Sequence, residues 1–319
     1  MDHLQRSRLN LLTSHMLDRG ALLRLDPESI AEQAADQHAR FIGIHHMRIA
    51  VDEQDPGHPA WLTSREATDR FGQCEGHVYL GEADQTPYFA LLLDHNLPKS
   101  SEGFSGLRSL ARQVSNAEAT LLGYAQAMVA WHHRYRFCGH CGSATQLDQG
   151  GHVRLCSDGQ CGAIHYPRTD PAIIVLVQRG SHALFGRKPE WPPNRYSTIA
   201  GFVEPGESAE QAVVREVDEE TGIDVTAVRY HSSQPWPFPG SLMLGYHADA
   251  GSERISLNDQ ELEDAIWLSR EKLASRIAQG LFVPPPSISI SFRLIEDWFD
   301  HEAPFTLHTV CERNKVEFF

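Results

Sequence analysis

No stretch of this 319-residue chain approaches the ~20 apolar residues that a membrane span needs. The apolar run 171–177 is far too short, and the uncharged stretch 280–292 contains three consecutive prolines. Residues 1–20 carry Asp2, Arg6, Arg8, Asp18 and Arg19 and no uninterrupted apolar core, so they do not read as a secretory leader, and the expected location is the cytoplasm. Basic residues are scarce: 28 Lys and Arg stand against 42 Asp and Glu, a net charge of -14. That balance excludes a broad electrostatic grip on nucleic acid or anionic lipid and suits a protein that binds cations or acts on small substrates. Six cysteines are too few for a disulfide scaffold, and a chain of this length buries a core without one. There is no internal repeat and no low-complexity tract. With 41% hydrophobic and 22% charged residues the composition is that of a globular protein, and the length fits two or three folding units.

What is present changes style twice along the chain. The first part, 1–133, mixes β-like runs at 41–51, 77–80 and 88–93 with a helical pattern over 116–133. A cysteine cluster occupies 134–168. From 169 to 302 the pattern begins with a β-branched run at 171–178, typical of a strand buried on both faces. It continues through strand-like runs at 183–187, 226–232, 242–248 and 265–268 and ends in helices at 270–279 and 288–299. Residues 303–319 form a tail. The whole predicts an α/β catalytic part joined to a small metal-bound module and an α+β N-terminal domain.

The cluster is Cys138-x2-Cys141-x14-Cys156-x4-Cys161. Two thiolate pairs on two turns make a closed tetrahedral site for one structural Zn²⁺ per chain. Gly139, Gly142, Gly159 and Gly162 permit tight turns, and the second pair, with four intervening residues, should turn more loosely. Unrelated reduced pairs are the bland alternative. Cys74 and Cys311 read as plain structural thiols.

The most informative segment runs from Gly201 to Ile223. Ser208 with Gln211 makes a capping-box start and Gly222 a left-handed stop, which predicts a helix over 209–221. At 100° per residue, Glu216, Glu219 and Glu220 share an arc of ~100°. Ala209 and Ala212 keep that face open, while Val213, Val214 and Val217 cover the adjoining, buried arc. Three carboxylates on one face repel by a few tenths of a kcal/mol per pair. The arrangement makes sense if hard divalent cations, Mg²⁺ or Mn²⁺ and more than one per site, neutralise it and bridge to phosphate. A solvated acidic face is the ordinary alternative, and it suits Glu210 and Asp218.

The full frame is G-x5-E-x7-R-E-U-x-E-E-x-G-U, with U aliphatic. Gly201, Glu207, Arg215, Glu216, Val217, Glu219, Glu220, Gly222 and Ile223 fill it. Average composition gives such a match a chance of ~10⁻⁹ per window. The segment resembles the Nudix hydrolase signature. That resemblance implies an α/β/α sandwich and metal-dependent hydrolysis of a nucleoside diphosphate linked to another moiety. Downstream, Ser233-Gln234-Pro235-Trp236-Pro237-Phe238-Pro239-Gly240-Ser241 pins two aromatics between three prolines. This loop, the cysteine ribbon ahead of the signature and the pair Tyr166-Pro167 resemble the NADH pyrophosphatase branch of that family, over roughly 108–296. On this reading 1–133 is a Nudix-like domain, 134–168 the ribbon and 169–302 the catalytic domain.

The resemblance carries roles onto individual residues. It implies divalent-metal ligands at Glu216, Glu219, Glu220, the carbonyl of Ala200, and Glu261 of the run Asp259-Gln260-Glu261-Leu262-Glu263, with Glu263 competing. Glu219 or Glu220 could serve as base, and Arg215 orients a glutamate, with Glu207 in a similar loop-fixing part. Phe202 and Tyr166 resemble residues that pack on nicotinamide, Gln234–Ser241 the substrate loop, and Ser291 and Arg108 further substrate contacts. The implied reaction cleaves NADH or NAD⁺ to the nicotinamide mononucleotide and AMP, in a homodimer. Removal of NAD caps from RNA by the same chemistry and a zinc-ribbon binding module with a silent catalytic domain remain as alternatives.

Overall fold

The computed structural model describes residues 1–14, 17–93, 102–258, 261–301 and 303–316. The chain divides into two compact units: residues 12–169 with 235–241, and residues 1–11 with 170–234 and 242–319. It opens with helix α1 (His3–Leu9), which belongs to the second unit.

In the first unit, helix α2 (Pro27–Ala35) precedes strands β1 (Arg40–His45) and β2 (Arg48–Ala50). After helix α3 (Ser64–Phe71) come β3 (Gly76–Ala83), β4 (Thr86–Leu92), β5 (Phe104–Gly106), α4 (Leu107–Leu110) and α5 (Asn116–Arg134). The strands form one sheet in the order β3-β4-β1-β2-β5, with β1 and β4 parallel. Its alternation separates two faces. Ile42, Ile44, Ala90 and Leu92 pack against Leu121, Leu122, Ala125 and Val129 of α5. Phe41, Phe89 and Leu91 pack on the other face with Ile30 and Ala67 of α2 and α3. The sequence pattern predicts one β-like run at 41–51. The chain instead reverses within it, at His46 and Met47, whose φ values of 45° and 62° are left-handed. Neither residue type signals a turn, so the reversal leaves no mark in the sequence.

The same unit holds the three-stranded ribbon β6 (Thr145–Asp148), β7 (Val153–Cys156) and β8 (Ile164–His165). Buried His132, from α5, donates from Nε2 to the Gly151 carbonyl at 2.7 Å and accepts from Arg154 Nη1 at 2.9 Å, which ties β7 to α5.

In the second unit, β9 (Asp170–Arg179), β10 (His182–Arg187) and β11 (Ile199–Phe202) precede α6 (Ala209–Thr221). Then come β12 (Val225–Trp236), β13 (Ser241–Ala250), β14 (Asp264–Ser269), α7 (Arg270–Ala278), α8 (Ile290–Asp300) and α9 (Leu307–Arg313). The sheet order is β12-β13-β9-β10-β14, and β11 pairs with β9. Strand β9 is the buried strand its sequence predicts, and its period of two sorts it. Ile173, Val175 and Val177 face Val213 and Val217 of α6, whereas Ile174 and Leu176 face Phe292, Leu294, Ile295 and Phe299 of α8. The result is an α/β/α sandwich. Leu307, Val310 and Cys311 of α9 also join the α8 side, so part of the tail belongs to this core. Burial pushes the Cys311 thiol up to about 12, which leaves it an inert packing group. Among the described residues no helix is long and apolar enough to cross a membrane.

Candidate active site

Helix α6 begins and ends where its sequence places the signals. Ser208 Oγ accepts from Gln211 N at 3.2 Å, and Gln211 Oε1 accepts from Ser208 N at 2.8 Å. Gly222 closes the helix at φ 65°, ψ 21°. Val213 and Val217 are buried as expected, and Ala212, expected on the open carboxylate face, is buried as well; Val214 is 42% exposed, because the buried arc is narrower than three valines.

The carboxylate face is graded in depth. The Glu220 side chain is 2% exposed, Glu216 15% and Glu219 50%. Arg215 holds this face together. Its Nε and Nη2 grip both oxygens of Glu207 at 3.1 and 2.6 Å, and its Nη1 donates to Glu216 and Glu219 at 2.9 Å each. Nη2 also reaches the Phe202 carbonyl at 2.8 Å. Bidentate pairing of this kind fixes direction as well as distance. The Glu207 bonds first, then those to Glu216 and Glu219, raise Arg215 further above its usual range. Glu207 in turn accepts from Glu204 N at 2.7 Å and so fixes the turn that leads into α6.

Burial pushes the Glu216 carboxyl above the usual carboxylate range, against the pull of Arg215, and the Glu219 and Glu261 carboxylates add to the rise. Lys188, just past the end of β10, bonds Glu261 Oε2 at 2.7 Å and sits 3.9 Å from Glu220 Oε1. Partial burial opposes the Lys188 charge, but these two carboxylates hold the ammonium above its ordinary range. Nothing in the sequence singles out Lys188. Glu263, the rival of Glu261, is paired with Arg187 instead. Asp259 and Gln260, in the same run, lie outside the described residues. Gly201 leaves a cradle for Glu216, since a Cβ there would meet the Glu216 carboxyl carbon at 1.9 Å. A bundle of oxygen donors held by one arginine fits Mg²⁺ or Mn²⁺.

Ala200 and Phe202 flank Gly201, and the remaining candidates fall in both units. Ala200 pairs with Ile174 along β11. Phe202 is 59% exposed in the second unit and Tyr166 55% exposed in the first. Gln234 is fully buried and its amide is engaged, donating to the Leu11 and Ile288 carbonyls and accepting from Ile290 N at 2.9, 2.7 and 2.8 Å. Ser291 is equally buried, its hydroxyl 2.8 Å from Thr198 Oγ1 and 2.9 Å from Ser197 Oγ. In the run 235–241, Pro235, Pro239 and Gly240 flank a compact pair: Trp236 and Phe238 meet edge-on at 4.9 Å, and β13 starts at Ser241. Arg108 lies over Phe238 at 4.4 Å and near Trp236 at 5.7 Å. Buried Gln126 of α5, not among the sequence candidates, donates to the Pro237 carbonyl at 2.6 Å. A lone amide in an apolar helix is the signal that could have found it.

The four ribbon sulfurs lie within 4.8 Å of one another, with Cys141 to Cys156 at 3.4 Å and Cys138 to Cys161 at 3.8 Å. Four Zn–S bonds of ~2.3 Å require sulfurs ~3.8 Å apart, so the residues fit a structural Zn²⁺. The longer second turn is stabilised by Asp158, whose Oδ1 accepts from Gln160 N at 2.9 Å.

Three family models match successive parts of the chain. Residues 165–284 match a NUDIX domain, 133–166 an NADH pyrophosphatase zinc ribbon domain, and 38–131 an NADH pyrophosphatase-like rudimentary NUDIX domain. The chain is 44% identical over 194 residues to the NAD-capped RNA hydrolase NudC of Stutzerimonas stutzeri, covering 61% of this chain and 70% of that one. It is 42% identical over 219 residues to the Pseudomonas aeruginosa (strain LESB58) protein of that name, covering 69% and 76%. The human NAD-capped RNA hydrolase NUDT12 is 42% identical over 197 residues, 58% of this chain. That match spans only 43% of the human protein's length.

Proposed function

Because this chain belongs to the Nudix hydrolase family, we propose that it hydrolyses the diphosphate of NADH or NAD⁺, releasing reduced or oxidised nicotinamide mononucleotide and AMP. The observation that carries the reading is the clamp of Arg215 on Glu207, Glu216 and Glu219, with Glu216 seated against Gly201. Glu220 and Glu261 lie outside that clamp yet join the same carboxylate cluster through Lys188, which speaks against a silent domain.

Glu216, Glu219, Glu220, Glu261 and the Ala200 carbonyl are the groups that would hold Mg²⁺ or Mn²⁺. When bound, such ions neutralise the diphosphate and activate water. A water attacks one phosphorus, and Glu219 or Glu220, serving as base instead of ligand, takes its proton. The bridging P–O bond breaks and the other mononucleotide leaves as its phosphate. Arg215 keeps the glutamates aimed throughout. Lys188 positions Glu261 and Glu220 and offsets their mutual repulsion. Phe202 and Tyr166 are assigned to nicotinamide packing, and the 234–241 loop, Arg108 and Ser291 to substrate contacts, on the strength of sequence resemblance.

The names of the bacterial and human relatives favour a second substrate of the same chemistry, an RNA 5′ end capped with NAD. A homodimer is proposed on family resemblance alone. The test is product analysis after incubation with NADH, NAD⁺, NAD-capped RNA and ADP-ribose, each with Mg²⁺ or Mn²⁺. Nicotinamide mononucleotide and AMP from the dinucleotides support the reading. Cleavage of ADP-ribose at an equal or higher rate refutes it.

A further inference from the structure

A second group of ligating side chains converges away from helix α6, within the same unit. His231 on β12, His247 on β13 and Asp297 on α8 each bring one donor atom within 4.8 Å of the other two. His231 is 4% exposed, and the two imidazoles lie nearly parallel, 5.2 Å apart with 21° between their planes. The Nε2 atoms of both histidines are buried without a hydrogen-bond partner. His231 Nε2 faces Asp297 Oδ2 at 3.5 Å, beyond the span of a good hydrogen bond. Buried ring nitrogens are normally satisfied, and two unsatisfied ones in a cluster with a carboxylate call for an occupant.

The other nitrogen of His231 has a hydroxyl partner of its own. Nδ1 lies 2.7 Å from Ser232 Oγ, and that hydroxyl accepts from Asn10 Nδ2 at 3.1 Å. Such a bond fixes the ring and leaves Nε2 to face a ligand. Arg6 Nη2 stands 3.6 Å from the same oxygen, Asp297 Oδ2. Its guanidinium balances the carboxylate and lines the same cleft.

We propose that His231, His247 and Asp297 form a binding site for a divalent transition-metal ion, distinct from the cysteine ribbon and the glutamate helix. Two imidazole nitrogens and one carboxylate oxygen suit Zn²⁺ or Fe²⁺ and are a poor set for Mg²⁺, which wants oxygens throughout. Three protein ligands leave a coordination position open, and a cleft of about 330 Å³ bordered by His231, Asp297 and Arg293 gives access to it. The ion ties β12 and β13 to α8, so its first effect is to stiffen the sandwich on that side.

Zn²⁺ is the probe. The purified chain and its His231→Gln and His247→Gln variants are dialysed to equilibrium against the same free Zn²⁺ and analysed for metal. The wild type should hold one more zinc per chain than either variant, and added Zn²⁺ should raise the melting temperature of the wild type alone. The ribbon and the glutamates are common to all three proteins, so they cancel in the difference. If a histidine variant does not fold, Asp297→Asn decides by the same measurement. Equal zinc content in the wild type and the folded variants overturns the site.

Discussion

A methyl group added to Gly201 would stand 1.9 Å from the carboxyl carbon of Glu216. The glycine therefore exists for the glutamate: with only hydrogen at that place, the carboxylate lies against the backbone of β11. Gly201→Ala should push Glu216 aside by about an ångström while the fold persists, and misplacement on that scale costs about a hundredfold in rate. Turnover of NADH at saturating Mg²⁺ is the measurement, and a Gly201→Ala variant working at the wild-type rate would contradict the cradle.

Phe202 is exposed beside that glycine, and it bears on substrate choice. NADH and ADP-ribose share the adenosine and the diphosphate, so discrimination must come from the second ring. Removing one stacking contact of ~1–3 kcal/mol lowers kcat/KM roughly 5–150-fold. Phe202→Ala should lose that factor with NADH and lose less with ADP-ribose. Equal losses with the two substrates would remove Phe202 from nicotinamide recognition.

The ribbon makes a separate prediction. Cys156 Sγ lies 3.4 Å from Cys141 Sγ, close enough for both to reach one zinc. Cys156→Ala should reduce the ribbon's zinc content, lower the melting temperature and expose the 133–166 segment to protease, because binding energy at such a site is folding energy. Unchanged zinc and unchanged melting would show that the second pair is not a ligand pair.

Stability should also fall in mild acid. Burial pushes His132 down from 6.5 to about 3, and its Nδ1 already accepts from Arg154, so the folded ring resists a proton. The unfolded chain takes that proton as pH falls below ~6.5, so the contribution is complete above that value and is lost as pH drops toward the folded one. His152, pushed down to about 4 chiefly by burial, acts in the same direction. Between about pH 7 and pH 5, His132 alone should cost about 2 kcal/mol. Urea unfolding at both values checks this, with a shallower pH slope expected for His132→Gln and an identical slope contradicting the account.

Much of the catalytic unit was legible because its signals are local. Ser208, Gln211 and Gly222 mark the ends of α6 by hydrogen bonds within one turn, and the alternation of β9 reports two buried faces directly. What stayed hidden depends on distant contacts. Strand β11 is four residues long and contains Gly201, so it reads as loop until β9 supplies its partner. Lys188 acquires meaning only when Glu261 arrives from 73 residues away. The burial of Gln234 and Ser291 follows from α8 and its approach, which neither residue announces. His231, His247 and Asp297 come from three elements with no shared spacing, so no motif betrays them.

The central claim is that the glutamates of α6 carry the hydrolysis of the dinucleotide diphosphate. Its most direct test is the steady-state rate of NADH cleavage by Glu216→Gln across a Mg²⁺ titration, beside the wild type. Loss of a metal-holding carboxylate should cost several kcal/mol of transition-state stabilisation, about a thousandfold in kcat, and shift the Mg²⁺ requirement upward. A Glu216→Gln protein that turns over NADH near the wild-type rate, with an unchanged Mg²⁺ requirement, would contradict the account.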